Sequence, residues 1–240
     1  FAAGEVHALL GENGAGKSTL VKILTGVHRA DAGEILFDGD PVVLNSPLDA
    51  RRLGISAIYQ EPLAFPDLTV AENIFMGRHP VRRGTRRIDW KPVYAEAEQV
   101  LRSVGARFSA HTQVASLSTA SRQLVEIAKA LSVRARVLIM DEPTSSLSKH
   151  EVNELFTVIR KLRALGTAII FISHRLEEVS EISDRVSVLR DGQFVATRPI
   201  AEKIEQAELD PDQAALLDKL LGKDYEVIAA DERLDKIAAD

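Results

Sequence analysis

Residues Gly11 to Ser18 read G-E-N-G-A-G-K-S, a full match to the phosphate-binding pattern G-x-x-x-x-G-K-[ST]. The pattern works only between a strand and a helix, so it commits this part of the chain to a strand-loop-helix unit. Both flanks comply. Val6, Ala8, Leu9 and Leu10 make a short apolar strand, and Thr19 to Thr25 continue as a helix ended by Gly26. Gly11, Gly14 and Gly16 let the backbone curl with its N–H groups turned inward, at a helix N-terminus whose dipole favours anions. Glu12, Asn13 and Ala15 complete the loop, and Thr19 adjoins it. Lys17 can reach the β- and γ-phosphates of a nucleotide, and the Ser18 hydroxyl can ligate Mg²⁺.

The remaining chain is globular in character. Its 240 residues are 45% hydrophobic, ample for a buried core. The absence of cysteine excludes disulfides and thiolate metal sites and suits a reducing cytoplasm. Apolar runs such as Val137 to Met140 or Ala168 to Ile172 are far too short to span a bilayer. A formal net charge of −5 argues against a nucleic-acid partner. The basic stretch Arg78 to Arg87 is the local exception and reads as a solvated loop, with a contact surface for a partner or anionic lipid as its alternative. The chain enters its first strand almost at Phe1, which reads as a truncated N-terminus.

Periodicity and turn residues order the rest. Glu34 to Phe37 and Pro41 to Leu44 form a hairpin about Asp38-Gly39, and Ser46-Pro47 starts a short helix stopped by Gly54. Ile55 to Tyr59 is a strand; Thr69 to Met76 and Trp90 to Val104 are helices, the second capped by Asp89. Gln123 to Leu131 keeps helical spacing, and Val137 to Met140 is a buried strand. Ser148 and Glu151 form a capping box for a helix to Leu165, followed by a strand Ala168 to Ser173 and a helix Leu176 to Ile182. Val186 to Leu189 and Phe194 to Ala196 close as a hairpin at Asp191-Gly192. Strands alternating with helices predict an α/β fold: a mainly parallel sheet with an antiparallel portion and a helical insert over about residues 66–134. Beyond Pro199 the composition changes, so residues 1–200 are expected to form the domain and 201–240 an acidic helical tail.

Strand ends hold further candidates. Asp141 and Glu142 follow the apolar run Val137 to Met140, where α/β sheets place ligands; Asp141 suits Mg²⁺ and Glu142 suits a general base that orients water. Gln60 can offer its carbonyl oxygen to Mg²⁺, and His174 can donate to a γ-phosphate.

These pieces in this order resemble the ATP-binding cassette (ABC) family of P-loop NTPases, from Gly4 to about Pro199. The likeness rests on the phosphate loop, Gln60, the I-M-D-E-P-T run at Ile139 to Thr144, the turn Ser145 to Ser148 and the I-S-H at Ile172 to His174. It extends to Leu117-Ser-Thr-Ala-Ser-Arg-Gln123, at the place of the family's signature sequence. G-E-V-H-A-L-L, Y-Q-E-P, L-T-V-A-E-N-I-F-M-G-R and L-V-E-I-A-K-A-L look most like the first cassette of bacterial simple-sugar importers of the ribose, galactose, xylose and rhamnose kind.

The resemblance implies ATP hydrolysis with Mg²⁺, held by Ser18, Gln60 and Asp141, with Glu142 and His174 catalytic. Leu117, Ser118, Thr119, Ala120, Ser121 and Gln123 would serve the opposite site in trans. Implied partners are a second cassette, membrane permease subunits touching Phe65 and Thr69 to Met76, and indirectly a sugar-binding protein, on the cytoplasmic face of the inner membrane. Two departures accompany it: Thr119 and Ala120 replace the usual signature glycines, and the aromatic that stacks on adenine would lie upstream of Phe1. Tyr225 to Asp240 carries a faint likeness to a segment of type I restriction-enzyme motor subunits, which raises a fused reading frame. The alternatives are a soluble ABC-type ATPase acting on DNA or ribosomes, and a regulatory half that does not hydrolyse. Long coiled-coil or zinc-bearing inserts mark the DNA-repair type, and the interval Lys17 to Ser118 is short and free of cysteine.

Overall fold

The computed structural model describes residues 1–60, 64–82, 84 and 87–200. The acidic tail expected over 201–240 lies outside them, as do Arg83, Thr85 and Arg86 of the basic stretch. In chain order the first half holds β1 (Val6–Leu10), α1 (Lys17–Leu24), β2 (Ile35–Phe37), β3 (Asp40–Val42), α2 (Pro47–Arg52), β4 (Ile55–Ile58), α3 (Val70–Ile74) and α4 (Trp90–Ser103). The second half holds α5 (Thr119–Ser132), β5 (Val137–Asp141), α6 (Lys149–Ala164), β6 (Ala168–Ile172), α7 (Leu176–Ile182), β7 (Arg185–Arg190) and β8 (Gln193–Pro199).

Six strands form one sheet in the order β4-β5-β6-β1-β7-β8, parallel except for the β7–β8 hairpin, while β2 and β3 pair separately. The short apolar runs of β1 and β6 are buried along their whole length, as strands covered on both faces must be. Alternate residues serve opposite faces. Ala8, Leu10, Leu138, Met140, Ile169 and Phe171 join one core, and Leu9, Ile139, Ile170 and Ile172 join a second that includes Val21 of α1. On the first face Phe156 of α6 meets Phe171 edge to face, with ring centroids 6.1 Å apart. The helical insert between β4 and β5 packs α3, α4 and α5 on one another and onto this same core.

β1 carries one polar side chain, His7, and the fold satisfies both its nitrogens. Nδ1 lies 2.7 Å from Glu5 Oε1 and Nε2 lies 2.7 Å from Ser187 Oγ. A buried imidazole with both nitrogens bonded escapes the cost of unpaired burial. The capping box read at Ser148 and Glu151 forms, and an unanticipated second one forms at Thr69 and Glu72 ahead of α3.

The elements differ from their sequence expectation mainly at helix starts. α1 begins at Lys17 rather than Thr19, because the last residues of the phosphate loop already lie in its first turn. α5 begins at Thr119, several residues before its apolar periodicity starts, since its first turn is polar and exposed or half-buried. Asp89 occupies the N-cap of α4 without a side-chain capping bond. Arg78 departs from the solvated loop expected of it: its guanidinium donates to Ile74 O at 2.8 Å and Ser132 Oγ at 2.6 Å, tying α3 to α5.

Candidate nucleotide site

Parallel pairing brings four strand ends to one edge. Leu9 lies opposite Ile172, Ile172 opposite Asp141, and Met140 opposite Ile58. The phosphate loop, His174, Asp141 with Glu142, and Gln60 therefore follow four adjacent strands at their carboxyl ends, where open α/β sheets bind ligands.

The loop after β1 is braced from beneath by the β7–β8 turn. Gly11 has φ 156°, and a Cβ there would run into the Leu189 carbonyl and the Ala15 methyl. The Gly192 N–H donates to Ala15 O at 3.3 Å. Gly16, at φ 96°, is the N-cap of α1, a conformation that glycine adopts without a Cβ penalty. Lys17 folds back over the loop, donating from Nζ to Gly11 O at 2.6 Å and Glu12 O at 3.0 Å. Burial draws its pKa below the ordinary lysine value, while the carboxylates of Glu142 and Asp141 oppose that shift. Ser18 and Thr19 stand exposed on the first turn, beside exposed Glu12, Asn13 and Gly14.

Asp141 closes β5, and its carboxyl is raised by burial and by the charge of Glu142, against the pull of Lys17. Glu142 bends away in a left-handed conformation, φ 48°, with its N–H donating to Ile172 O at 2.9 Å. Such a conformation is uncommon for a residue with a side chain and clusters at functional sites. The bend delivers Glu142 Oε1 to within 3.1 Å of His174 Nδ1. Hydroxyl, amide and carboxylate oxygens at Ser18, Gln60 and Asp141 are the hard donors Mg²⁺ accepts. No group of three or more His, Cys, Asp or Glu suited to a metal occurs among the described residues.

A family model described as ABC transporter matches residues 1–145. The chain belongs to the ABC transporter family. It is 56% identical over 197 residues to the ribose import ATP-binding protein RbsA 2 of Streptomyces avermitilis, covering 82% of this chain and 39% of that protein. With RbsA 1 of Burkholderia cenocepacia it shares 52% identity over 225 residues, covering 92% of this chain and 42% of the other. The chain thus spans about two fifths of the length of the curated relatives it matches. Among solved structures, the ADP conformation of MJ1267, an ATP-binding cassette of an ABC transporter, superposes with a TM-score of 0.71 at 28% identity, covering 82% of this chain and 81% of that one.

In this ABC cassette the segment at the signature position stands apart from the strand ends. Ser118 caps α5, accepting from the Ser121 N–H at 3.2 Å, with Thr119 and Ala120 in the first turn behind Leu117. Among the described residues no hydrogen bond links 117–123 to the phosphate loop. Gln123 is turned into the protein, 4% exposed, rather than presented at the surface. α3 likewise buries Val70, Ala71, Asn73 and Ile74, so among the described residues 64–76 it is Phe65, 52% exposed, whose large apolar side chain is left open.

Two features escaped the sequence reading. Glu178 of α7 is buried behind Glu142 and His174, a position legible only as an acid beside the apolar Val179 and Ile182. Glu126 of α5 lines a groove of about 220 Å³ with Arg51, Tyr59 and Lys129; its Oε1 has no hydrogen-bond partner among the described residues, and Lys129 Nζ lies 3.6 Å from Oε2. Burial raises the Glu126 carboxyl above its ordinary value, with Lys129 opposing. Because the folded value exceeds the unfolded one, this group's contribution to stability is complete at low pH and is lost as pH rises through the folded value. Glu126→Gln should therefore raise the unfolding midpoint at pH 7, by about 2–4 °C for a gain near 1 kcal/mol. The gain should vanish as the pH approaches 4; melting curves across that range that shift equally at every pH would disprove it.

Proposed function

We propose that this chain is an ATP-binding and hydrolysing cassette, the first of two in its subunit, that energises import of a ribose-type monosaccharide. The carrying observation is the single sheet edge that gathers the phosphate loop, Gln60, Asp141, Glu142 and His174, with Glu142 and His174 3.1 Å apart. Inward N–H groups of Gly11 to Ser18 and the Lys17 ammonium bind the β- and γ-phosphates. Ser18, Gln60 and Asp141 would hold Mg²⁺, which when bound neutralises charge on the phosphate oxygens. Glu142 orients water and accepts its proton, and His174 donates to the γ-phosphate while steadying Glu142. Leu117 to Ser121 complete the site of a second cassette, with the buried Gln123 supporting them from within, and that cassette's own signature completes this one.

The names of the ribose import relatives support the substrate class. Among the described residues no helix is long and apolar enough to cross a membrane. On this reading the cassette works peripherally, on the cytoplasmic face of permease subunits fed by a sugar-binding protein, with no nucleic-acid partner. Residues 1–200 form the cassette and 201–240 an appendage.

The test is nucleotide-linked stability. MgATP at a hundredfold excess over its Kd should stabilise the chain by about 2.7 kcal/mol. Lys17→Ala should abolish most of that shift while leaving the midpoint without nucleotide nearly unchanged. An equal shift in both proteins would remove Lys17 from the site.

A further inference from the structure

Behind the Glu142–His174 contact lies a second set of hydrogen bonds, buried at Thr144 and Ser173 and reaching the surface at Arg175. Glu178 is 9% exposed, and its Oε2 accepts from Thr144 Oγ at 2.6 Å and from Ser173 Oγ at 3.1 Å. Its Oε1 accepts from Arg175 Nη1 at 3.1 Å, and the same nitrogen lies 3.5 Å from Thr144 O. Ser173 Oγ also accepts from the Arg175 N–H at 3.0 Å. Thr144 and Ser173 are themselves 1% and 4% exposed, so the two hydroxyl bonds to Glu178 are shielded from water, while the Arg175 side chain, 42% exposed, closes the set on its outer side.

The placement is specific. Thr144 is two residues after Glu142, while Ser173 and Arg175 flank His174 on either side. One carboxylate on α7 thus grips both loops that present the reactive pair. Apolar packing would hold those loops without burying the Glu178 carboxyl group, which costs free energy unless it is hydrogen-bonded. Directional hydrogen bonds in a low-dielectric interior do what apolar packing cannot: they fix the loops in one geometry.

We infer that Glu178 is a positioning residue for hydrolysis, setting the separation of Glu142 and His174 without touching nucleotide. The inference rests on the role proposed for Glu142. Among the described residues none of the Glu178 side chain's hydrogen bonds reaches residues 11–19, so nucleotide binding is insulated from it. Turnover is not insulated, because a displacement of about 1 Å at a reacting group can cost about a hundredfold. Glu178→Gln keeps the shape but turns an NH₂ or a weaker acceptor towards partners that need a carboxylate. The expected result is a 10- to 100-fold lower kcat with KM for ATP changed less than about threefold.

The experiment measures steady-state MgATP hydrolysis by the chain paired with a second cassette, for wild type, Glu142→Gln, Glu178→Gln and the double variant. MgATP affinity and unfolding midpoint are measured on each. Acting through Glu142, Glu178→Gln should cost little further turnover, under about threefold, in the Glu142→Gln background. Equal losses in both backgrounds, or a loss of affinity to match that in kcat, would reduce Glu178 to a structural residue and overturn the inference. If Glu178→Gln does not fold, Thr144→Val removes one bond and Ser173→Ala two, and each should lower kcat alone; unchanged kcat in both overturns it. If Glu142→Gln itself leaves turnover intact, the role of Glu142 falls and the inference with it. If Glu142→Gln is slow and Glu178→Gln is not, only the inference falls.

Discussion

Glu142→Gln should bind MgATP as the wild type does and turn it over about 10²- to 10⁴-fold more slowly, the usual contribution of a positioned general base. The substitution is nearly isosteric and leaves a side-chain oxygen or nitrogen facing His174 Nδ1, now 3.1 Å from the carboxylate. What it removes is basicity and charge. The loss of charge should not weaken binding: the neighbouring Asp141 carboxyl is raised first by burial and second by the Glu142 charge, and removing that charge relieves part of the shift. Affinity and kcat should therefore separate cleanly, as they do when an interaction is made only in the transition state. Single-turnover hydrolysis and equilibrium binding on the same samples check this. Undiminished turnover would take Glu142 out of the chemistry.

Gly11→Ala should damage the site from below. A Cβ at Gly11 would meet the Leu189 carbonyl and the Ala15 methyl, both fixed by strand β7 and the loop itself. Backbone cannot swing aside as a flexible side chain can, so the loop must move. Overpacking of this sort costs about 1–3 kcal/mol, and strain at a conformation favouring glycine adds a similar amount. The Lys17 contacts at Gly11 O and Glu12 O would shift with it, and MgATP affinity should fall at least tenfold, about 1.4 kcal/mol. Gly14→Ala is the control: its Cβ would meet nothing within 4 Å, although φ 88° still strains it. Denaturant unfolding and MgATP titration should show Gly11→Ala clearly worse on both measures. Equal effects would mean that the contact with β7 does not shape the loop.

The strands were legible because their residues leave little choice. Val6–Leu10, Val137–Met140 and Ala168–Ile172 are apolar runs bounded by turn residues, and each emerged within a residue of its expectation. Helix starts were less legible. Lys17-Ser18 and Thr119 to Arg122 carry no apolar periodicity, so helical spacing could not reveal that α1 and α5 begin there. The front of the site was readable as residue types at strand ends, since parallel strands deliver their termini to one edge whatever lies between them. Its rear was not. Glu178 there, like Glu126 in its separate groove, is an acidic residue, and such residues on a helix ordinarily mark the solvent face; only tertiary packing turns these two inward. The signature departure at Thr119 and Ala120 was visible, but not that Ser118 would spend its hydroxyl on capping α5.

A cassette that borrows half of its site from a partner must hydrolyse ATP at a rate per molecule that climbs with protein concentration. Here Ser118 and its neighbours make no hydrogen bond to the phosphate loop of their own chain among the described residues. The decisive measurement is specific ATPase rate against protein concentration, for the chain alone and after addition of a second cassette with an intact signature. Slow hydrolysis that rises with concentration, and rises further with the partner, is the predicted result. Fast hydrolysis by the isolated chain, independent of concentration and indifferent to the partner, would contradict the shared-site mechanism.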